Sequence, residues 1–159
     1  MKRAGLVVFC AVLATAGSAR AQARHLSLGA DGALGAGDVT GAANVAVRYL
    51  AGQMRAGVLG DFGFRDGVDV IRPMATYEYN LRLEDDVRIW LGAAVGPSLS
   101  VRSSDIGLTG LVTLDLALPI VRRFAVDFIV RAGFDEGITY PSDHPTGIGQ
   151  FALGVTFDL

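Results

Sequence analysis

The chain of 159 residues has the length of one domain and is strongly apolar, with 51% hydrophobic residues and a mean hydropathy of +0.41. Charged residues make up 19%, and the formal net charge is −2. This composition excludes a disordered chain, which would lack the apolar content, and a basic nucleic-acid binder, which would need excess positive charge.

Residues 1–21 have the three-part pattern of a secretory signal peptide. Lys2 and Arg3 form a positive start, residues 4–17 are uncharged and largely apolar, and Ala19 and Ala21 supply the small residues that a signal peptidase reads. An apolar run of about 14 residues is too short to span a bilayer as a helix. We therefore expect cleavage after Ala21, which leaves a single domain over residues 22–159.

Cleavage would change both the cysteine chemistry and the charge of the chain. The only cysteine, Cys10, would be lost, so neither a disulfide framework nor a cysteine-based metal site is expected. The remaining chain has eleven arginines, no lysine and sixteen acidic residues, which gives a net charge of −5. Arginine pairs with buried carboxylates in a bidentate geometry that lysine cannot form.

Eight segments of the remaining chain alternate apolar residues with small or polar ones, which is the period of a β-strand. The alternation is clearest in residues 87–101, 108–118, 124–134 and 151–159, and weaker in 26–31, 44–49, 54–64 and 71–81. Tight connections at 51–53, 84–86 and 119–123 alternate with longer ones at 35–43, 65–69, 102–106 and 135–149. This order is typical of an up-and-down meander with turns at one end and loops at the other.

The polar faces of these strands hold equal numbers of positive and negative charges, whereas the other faces are almost uncharged. The charged positions are Arg48, Arg55, Arg72, Arg88 and Arg131, with Asp61, Glu78, Asp115, Asp127 and Asp158. A soluble lipocalin-like barrel needs a charged exterior, whereas a membrane barrel turns its apolar face to lipid. We predict a closed antiparallel transmembrane β-barrel whose lumen is plugged by arginine–carboxylate pairs. A soluble periplasmic lipid-binding barrel is the alternative.

Trp90 does not fit this pattern, because its place in the alternation directs a large aromatic side chain into the lumen. Either a bulge shifts the register of its strand, or the indole fills the lower part of the lumen.

The final segment, with Gly154, Phe157 and Leu159 in alternation, resembles the end of small outer-membrane β-barrel proteins of Gram-negative bacteria, in particular the OmpA-type transmembrane domain. The assembly signal of that family is matched at Gly154 and Phe157, and at Leu159 only as a hydrophobic residue; Ala152 stands where a polar residue is expected. The resemblance implies an outer-membrane location, with outer-membrane lipid and the barrel-assembly machinery as partners. It also implies chain ends in the periplasm and the longer loops outside the cell.

Some small outer-membrane barrels modify lipid A with a histidine, a serine and an acid, which makes such an enzyme a second alternative. The histidines after residue 21 are His25, near the start, and His144, which follows Ser142 and Asp143. Three consecutive residues do not form a triad, because the base must lie between nucleophile and acid in space. We therefore expect a structural or surface-interaction role without catalysis.

No metal or cofactor is expected either. The acidic residues at 84–86 and 135–136 are typical of solvated turns, and the sequence has no calcium-loop spacing. Its glycines do not form a phosphate-binding motif.

Overall fold

A computed structural model describes residues 25–36, 41–64, 68–83, 87–101, 103–137 and 146–159. The strands are β1 (His25–Ala36), β2 (Gly41–Ala51), β3 (Met54–Phe64), β4 (Val68–Leu83), β5 (Arg88–Ser100), β6 (Ile106–Val121), β7 (Phe124–Gly137) and β8 (Thr146–Asp158). Each pairs antiparallel with its chain neighbours, and β8 pairs with β1, so the sheet is closed. The predicted eight-stranded up-and-down barrel is confirmed.

The register of the strands fixes the stagger of the barrel. We followed each residue's pairing partner from strand to strand once around the barrel, starting at Leu26 of β1. The path returns to β1 at Ala36, so the displacement along the strand is 36 − 26 = 10 residues. Strands staggered in this way tilt by about 35–45° from the barrel axis. The shortest strands have 11 residues and the longest 16. A tilted strand needs about 9–11 residues to cross a bilayer, so every strand is long enough.

The outer surface of the barrel is apolar and its interior is polar. Leu114, Phe128 and Val155 point outward and are 42–48% exposed, whereas Arg72 and Asp127 point inward and are no more than 3% exposed. The soluble alternative requires the opposite polarity and is wrong. Among the described residues, no helix is long and apolar enough to cross a bilayer.

The end of the barrel where β1 begins and β8 ends is called the terminal end here, and the opposite end is the loop end. Two-residue turns close the terminal end between β2 and β3 and between β6 and β7. In the first turn, Gly52 has a φ of 65°, which glycine adopts without a steric penalty. Of the predicted connections, residues 37–40, 65–67, 84–86, 102 and 138–145 lie outside the described residues.

Several strands are longer than the sequence pattern predicts. Strand β6 continues through the predicted turn to Val121, with a register shift between Pro119 and Val121. Strands β7 and β8 extend into the predicted loop 135–149, because β7 ends at Gly137 and β8 begins at Thr146. The longer β7 brings Asp135 into the barrel wall.

Close approach of neighbouring strands requires glycine at some inward positions. A Cβ added at Gly133 would lie 1.9 Å from the carbonyl oxygen of Gly110, whereas one added at Gly147 meets nothing within 4 Å. We expect Gly133→Ala to lower the free energy of unfolding by about 1–3 kcal/mol through overpacking. Gly147→Ala is the matched control and should change it by less than about 0.5 kcal/mol. Urea titration of both variants in lipid vesicles measures the difference, and equal values would contradict the prediction.

Candidate functional site: the barrel interior

The strands place most of the predicted lumen charges deep inside the barrel. Eight of the ten have side chains no more than 4% exposed: Arg48, Arg55, Asp61, Arg72, Glu78, Asp115, Asp127 and Arg131. Arg88 and Asp158 instead lie at the terminal end, where their side chains are 34% and 22% exposed and 3.6 Å apart. Apart from Asp127, the interior charges form two groups, one nearer to each end of the barrel.

The first group, which we call the terminal-end cluster, consists of Arg48, Arg55, Glu78 and Asp115. Arg55 donates hydrogen bonds to both Glu78 and Asp115, so it joins β3 to β4 and reaches across the lumen to β6. The Nε atom of Arg48 on β2 lies 3.1 Å from the same Glu78 oxygen, but it forms an ion pair there and no hydrogen bond. Two arginines and two carboxylates therefore neutralise one another here, as buried charges require.

Trp90 packs against Arg55 of the terminal-end cluster. Its side chain is 3% exposed and points inward, and the guanidinium carbon of Arg55 lies 4.4 Å from the ring centroid. This distance is within the range of a cation–π interaction. The register shift between β4 and β5, at Asn80 and Arg82, leaves Trp90 facing inward. The indole therefore fills the lower lumen, which is the second of the two interpretations of the sequence.

A small cavity lies beside Trp90 at the terminal end. Asp127 lines it and accepts a hydrogen bond of 2.5 Å from the Thr156 hydroxyl. The other Asp127 oxygen, Oδ1, has no protein partner. The free volume of about 20 Å³ accommodates one water molecule, which could satisfy this oxygen.

The second group, which we call the loop-end cluster, is built around Arg131 and Asp31. Arg131 binds both carboxylate oxygens of Asp31, at 2.7 and 3.0 Å, and thereby joins strands β7 and β1 across the lumen. Asn44 donates a further hydrogen bond of 2.8 Å to Asp31. Bidentate arginine–carboxylate pairs are among the strongest polar contacts in proteins.

Arg72 extends the loop-end cluster toward the mouth of the barrel. Its guanidinium lies 3.3 Å from Asp61 and 3.0 Å from Asp135, and the Ser98 hydroxyl donates a 2.5 Å hydrogen bond to Asp135. Gln150 donates to Asp61 at 3.1 Å. The Asp135 carboxylate is therefore shared between β4 and β5.

A group of apolar side chains, which we call the apolar layer, lies next to both clusters. It consists of Ala46, Leu59, Met74, Ala94, Leu111 and Ile148, which form one buried group. Along β3 the inward residue Leu59 lies between Arg55 and Asp61, and along β4 Met74 lies between Arg72 and Glu78. On β3 and β4, an apolar side chain therefore separates the charged residues of the two clusters.

Five residues of the loop-end cluster were not among the predicted lumen charges: Asp31, Asn44, Ser98, Asp135 and Gln150. Asp31 and Ser98 stand at inward positions of the sequence alternation, so the pattern already contained that signal. Asp135 and Gln150 instead depend on how far β7 and β8 extend.

Gly154 and Phe157 lie on the last strand, and Leu159 directly follows it. Gly154 points inward, where a Cβ would come within 2.6 Å of the Asp31 Cβ. Phe157 and Leu159 are exposed on the outer surface, and the Leu159 amide donates to the Leu26 carbonyl at 2.8 Å. The predicted cleavage residues Ala19 and Ala21 lie outside the described residues.

The residues considered for catalysis also fall outside the described part of the chain. This applies to Ser142, Asp143 and His144, and to the side chain of His25, of which only the backbone is described. Within the described residues, no group of three or more histidine, cysteine or acidic side chains could hold a metal ion.

No protein-family model matches the chain. No curated protein matches it significantly. Neisserial surface protein A superposes with a TM-score of 0.63 at 12% identity, over 86% of this chain and 97% of that one. The N-terminal β-barrel domain of Pseudomonas aeruginosa OprF also gives 0.63 at 12%, over 87% and 98%. A de novo designed transmembrane β-barrel gives 0.58 at 10%, over 85% and 95%.

These identities establish the fold alone. The chain has the fold of small eight-stranded outer-membrane β-barrels, and the predicted resemblance to that class is confirmed at this level.

Proposed function

We propose that the protein is an integral outer-membrane barrel with a structural or surface-interaction role and no catalytic activity. The observation that carries this proposal is the inverted polarity of the barrel. Large apolar side chains cover the outside, whereas the arginines and carboxylates pair within. Closure of the sheet also satisfies the ladder hydrogen bonds that an open edge would leave unpaired in hydrocarbon.

Membrane fractionation combined with gel mobility before and after boiling tests this function. A folded membrane barrel is expected in the outer-membrane fraction and should change mobility only after boiling. Recovery of the protein in the soluble periplasmic fraction would contradict the proposal.

Export is proposed to depend on residues 1–21, and insertion on the C-terminal residues that the barrel-assembly machinery reads. Cleavage after Ala21 predicts that the protein isolated from outer membranes begins at Gln22. Mass spectrometry of the intact protein measures the N-terminus directly. Retention of residues 1–21 on the folded protein would contradict this route.

We propose further that the lumen is closed to ions. This proposal is supported by the buried ion pairs that cross the interior and by the buried apolar layer beside them, because neither leaves an open polar path for a hydrated ion. Planar-bilayer recordings of the purified protein are therefore expected to show no steady open current. A stable conductance that scales with the amount of inserted protein would contradict a closed lumen.

The alternative of a lipid A-modifying enzyme rests on His144 and its neighbours Ser142 and Asp143 in the predicted loop 135–149. Replacing His144 with alanine is expected to leave the acylation pattern of lipid A unchanged in cells. Mass spectrometry of extracted lipid A measures that pattern, and loss of one acylated species in the variant would favour the enzyme.

A further inference from the structure

The barrel wall has an interruption between β4 and β5. On β4, Val70 and Ile71 pair with β5, and pairing resumes only at Ala75, in the same register. Residues 72–74 therefore lie opposite residues 96–98 without ladder pairing. In this register Pro73 stands directly opposite Pro97. The pairing of Pro73 with β3 and of Pro97 with β6 is unbroken.

Proline chemistry explains this gap. In an antiparallel ladder, each residue directs its N–H and C=O toward only one neighbouring strand. Because the outer pairings are intact, both prolines direct their missing donors into the β4–β5 interface. Two reciprocal N–H···O bonds therefore cannot form. We call residues 72–74 and 96–98 the unbonded seam.

The unbonded seam is closed although it lacks these bonds. A Cβ added at Gly96 would lie 2.1 Å from the Pro73 carbonyl oxygen. A Cβ added at Gly57 would lie 2.0 Å from the Val47 carbonyl oxygen, in a part of the wall where the pairing of β3 with β2 is intact. The two strands therefore approach each other as closely here as in a bonded part of the wall.

A side-chain contact inside the barrel holds the seam together instead. Arg72 of β4 and Ser98 of β5 both bind the carboxylate of Asp135, at 3.0 and 2.5 Å. These two residues flank the prolines on the inward face. Asp135 thus acts as a latch across a stretch of wall that has no backbone bonds.

The outer side of the seam is apolar, and its inner side is apolar at Gly96 and Met74, next to the polar contact of Arg72 and Ser98 with Asp135. Outside, Pro73 and Pro97 are exposed among Ala75, Val95 and Leu99, where the barrel faces hydrocarbon. Inside, Gly96 contributes no side chain, and the side chain next to it is Met74 of the apolar layer. Methionine is unbranched and can repack around a guest of irregular shape.

We propose that the unbonded seam is a lateral opening through which the acyl chain of a membrane lipid enters the wall and packs against Met74 and the apolar layer. Release of the Asp135 latch opens it, and the chain passes from the apolar outer surface to the side chain of Met74. This inference rests on the proposed function, because it requires lipid around the barrel.

Cysteine accessibility from the lipid phase tests the opening. In full-length protein carrying Cys10→Ser, Met74→Cys places a thiol behind the seam. Leu111→Cys is the matched control in the same layer, where β6 has continuous pairing with both neighbours. Outer membranes are treated with a long-chain alkyl maleimide that partitions into the bilayer. We expect the seam thiol of Met74→Cys to react about tenfold faster than the control thiol of Leu111→Cys, since one net hydrogen bond changes an opening equilibrium by roughly that factor.

Two further variants set the direction of the effect. Pro73→Val with Pro97→Val restores both donors and should slow labelling of the seam thiol to the rate of the control thiol. Asp135→Ala removes the latch and should accelerate labelling of the seam thiol without changing that of the control. Equal rates at the two thiols, or a seam rate that restoring the donors leaves unchanged, would overturn the opening. Gel mobility before and after boiling on the same samples separates this failure from failure of the membrane-barrel proposal.

Discussion

Breaking the Arg131–Asp31 pair is expected to destabilise the barrel by about 3–5 kcal/mol, because removal of one partner leaves a buried charge uncompensated. Arg131 is fully buried and Asp31 nearly so, and the two side chains share two hydrogen bonds. Either Arg131→Met or Asp31→Asn should produce this loss. Urea titration in lipid vesicles, with the fraction that resists unboiled detergent as readout, measures the free energy of unfolding.

The double variant of Arg131→Met with Asp31→Asn should lose less than the sum of the two single variants, because neither charge is then left alone. The half-buried pair of Arg88 and Asp158 provides the matched control, since it has the same chemistry at 34% and 22% exposure. Its loss should cost only about 0–1 kcal/mol. Similar costs for the two pairs would contradict the view that the loop-end cluster is shielded from water.

The faces of the strands could be predicted from the sequence because the period of a strand is two and the charges occupy one face only. The alternation along each strand is enough to place Arg72 and Asp127 inside and Leu114 and Phe128 outside. It does not require the register between strands. The same alternation directs Trp90 inward, which is one of the two interpretations that the sequence left open, and the indole is buried there beside a register shift.

The partners of the inward residues could not be predicted, because they depend on the stagger of the barrel. Arg131 and Asp31 are 100 residues apart in the sequence. The registers of β8 with β7 and with β1 bring the two side chains close enough to pair. Likewise, Asp135 becomes a lumen residue only because β7 extends past Phe134. The opposition of Pro73 and Pro97 is also a property of register.

The apolar layer was hidden for a different reason. The alternation places Leu59, Met74 and Leu111 on the same face as the charged residues, and the charges are the stronger signal on that face. Side chains on different strands form a layer only when tilt brings them to one height, which alternation along a single strand does not reveal.

A single charge on the outer surface should have the largest effect at mid-membrane. Leu114 lies near the middle of β6 and is 45% exposed, whereas Ile120 lies near the terminal end of the same strand and is 61% exposed. We expect Leu114→Lys to lower the free energy of unfolding by about 2–4 kcal/mol, and Ile120→Lys by about 0–1 kcal/mol, because the cost of a cation falls toward the interface.

This comparison separates lipid from water as the solvent of the outer surface. In water, a lysine at the less exposed Leu114 would cost no more than a few tenths of a kcal/mol, since surface substitutions lie within about 0.5 kcal/mol. Urea titration in vesicles measures both variants under identical conditions. A penalty at Leu114 no larger than that at Ile120 would mean that hydrocarbon does not surround the middle of the barrel, and the proposed membrane function would then fail together with the lateral opening.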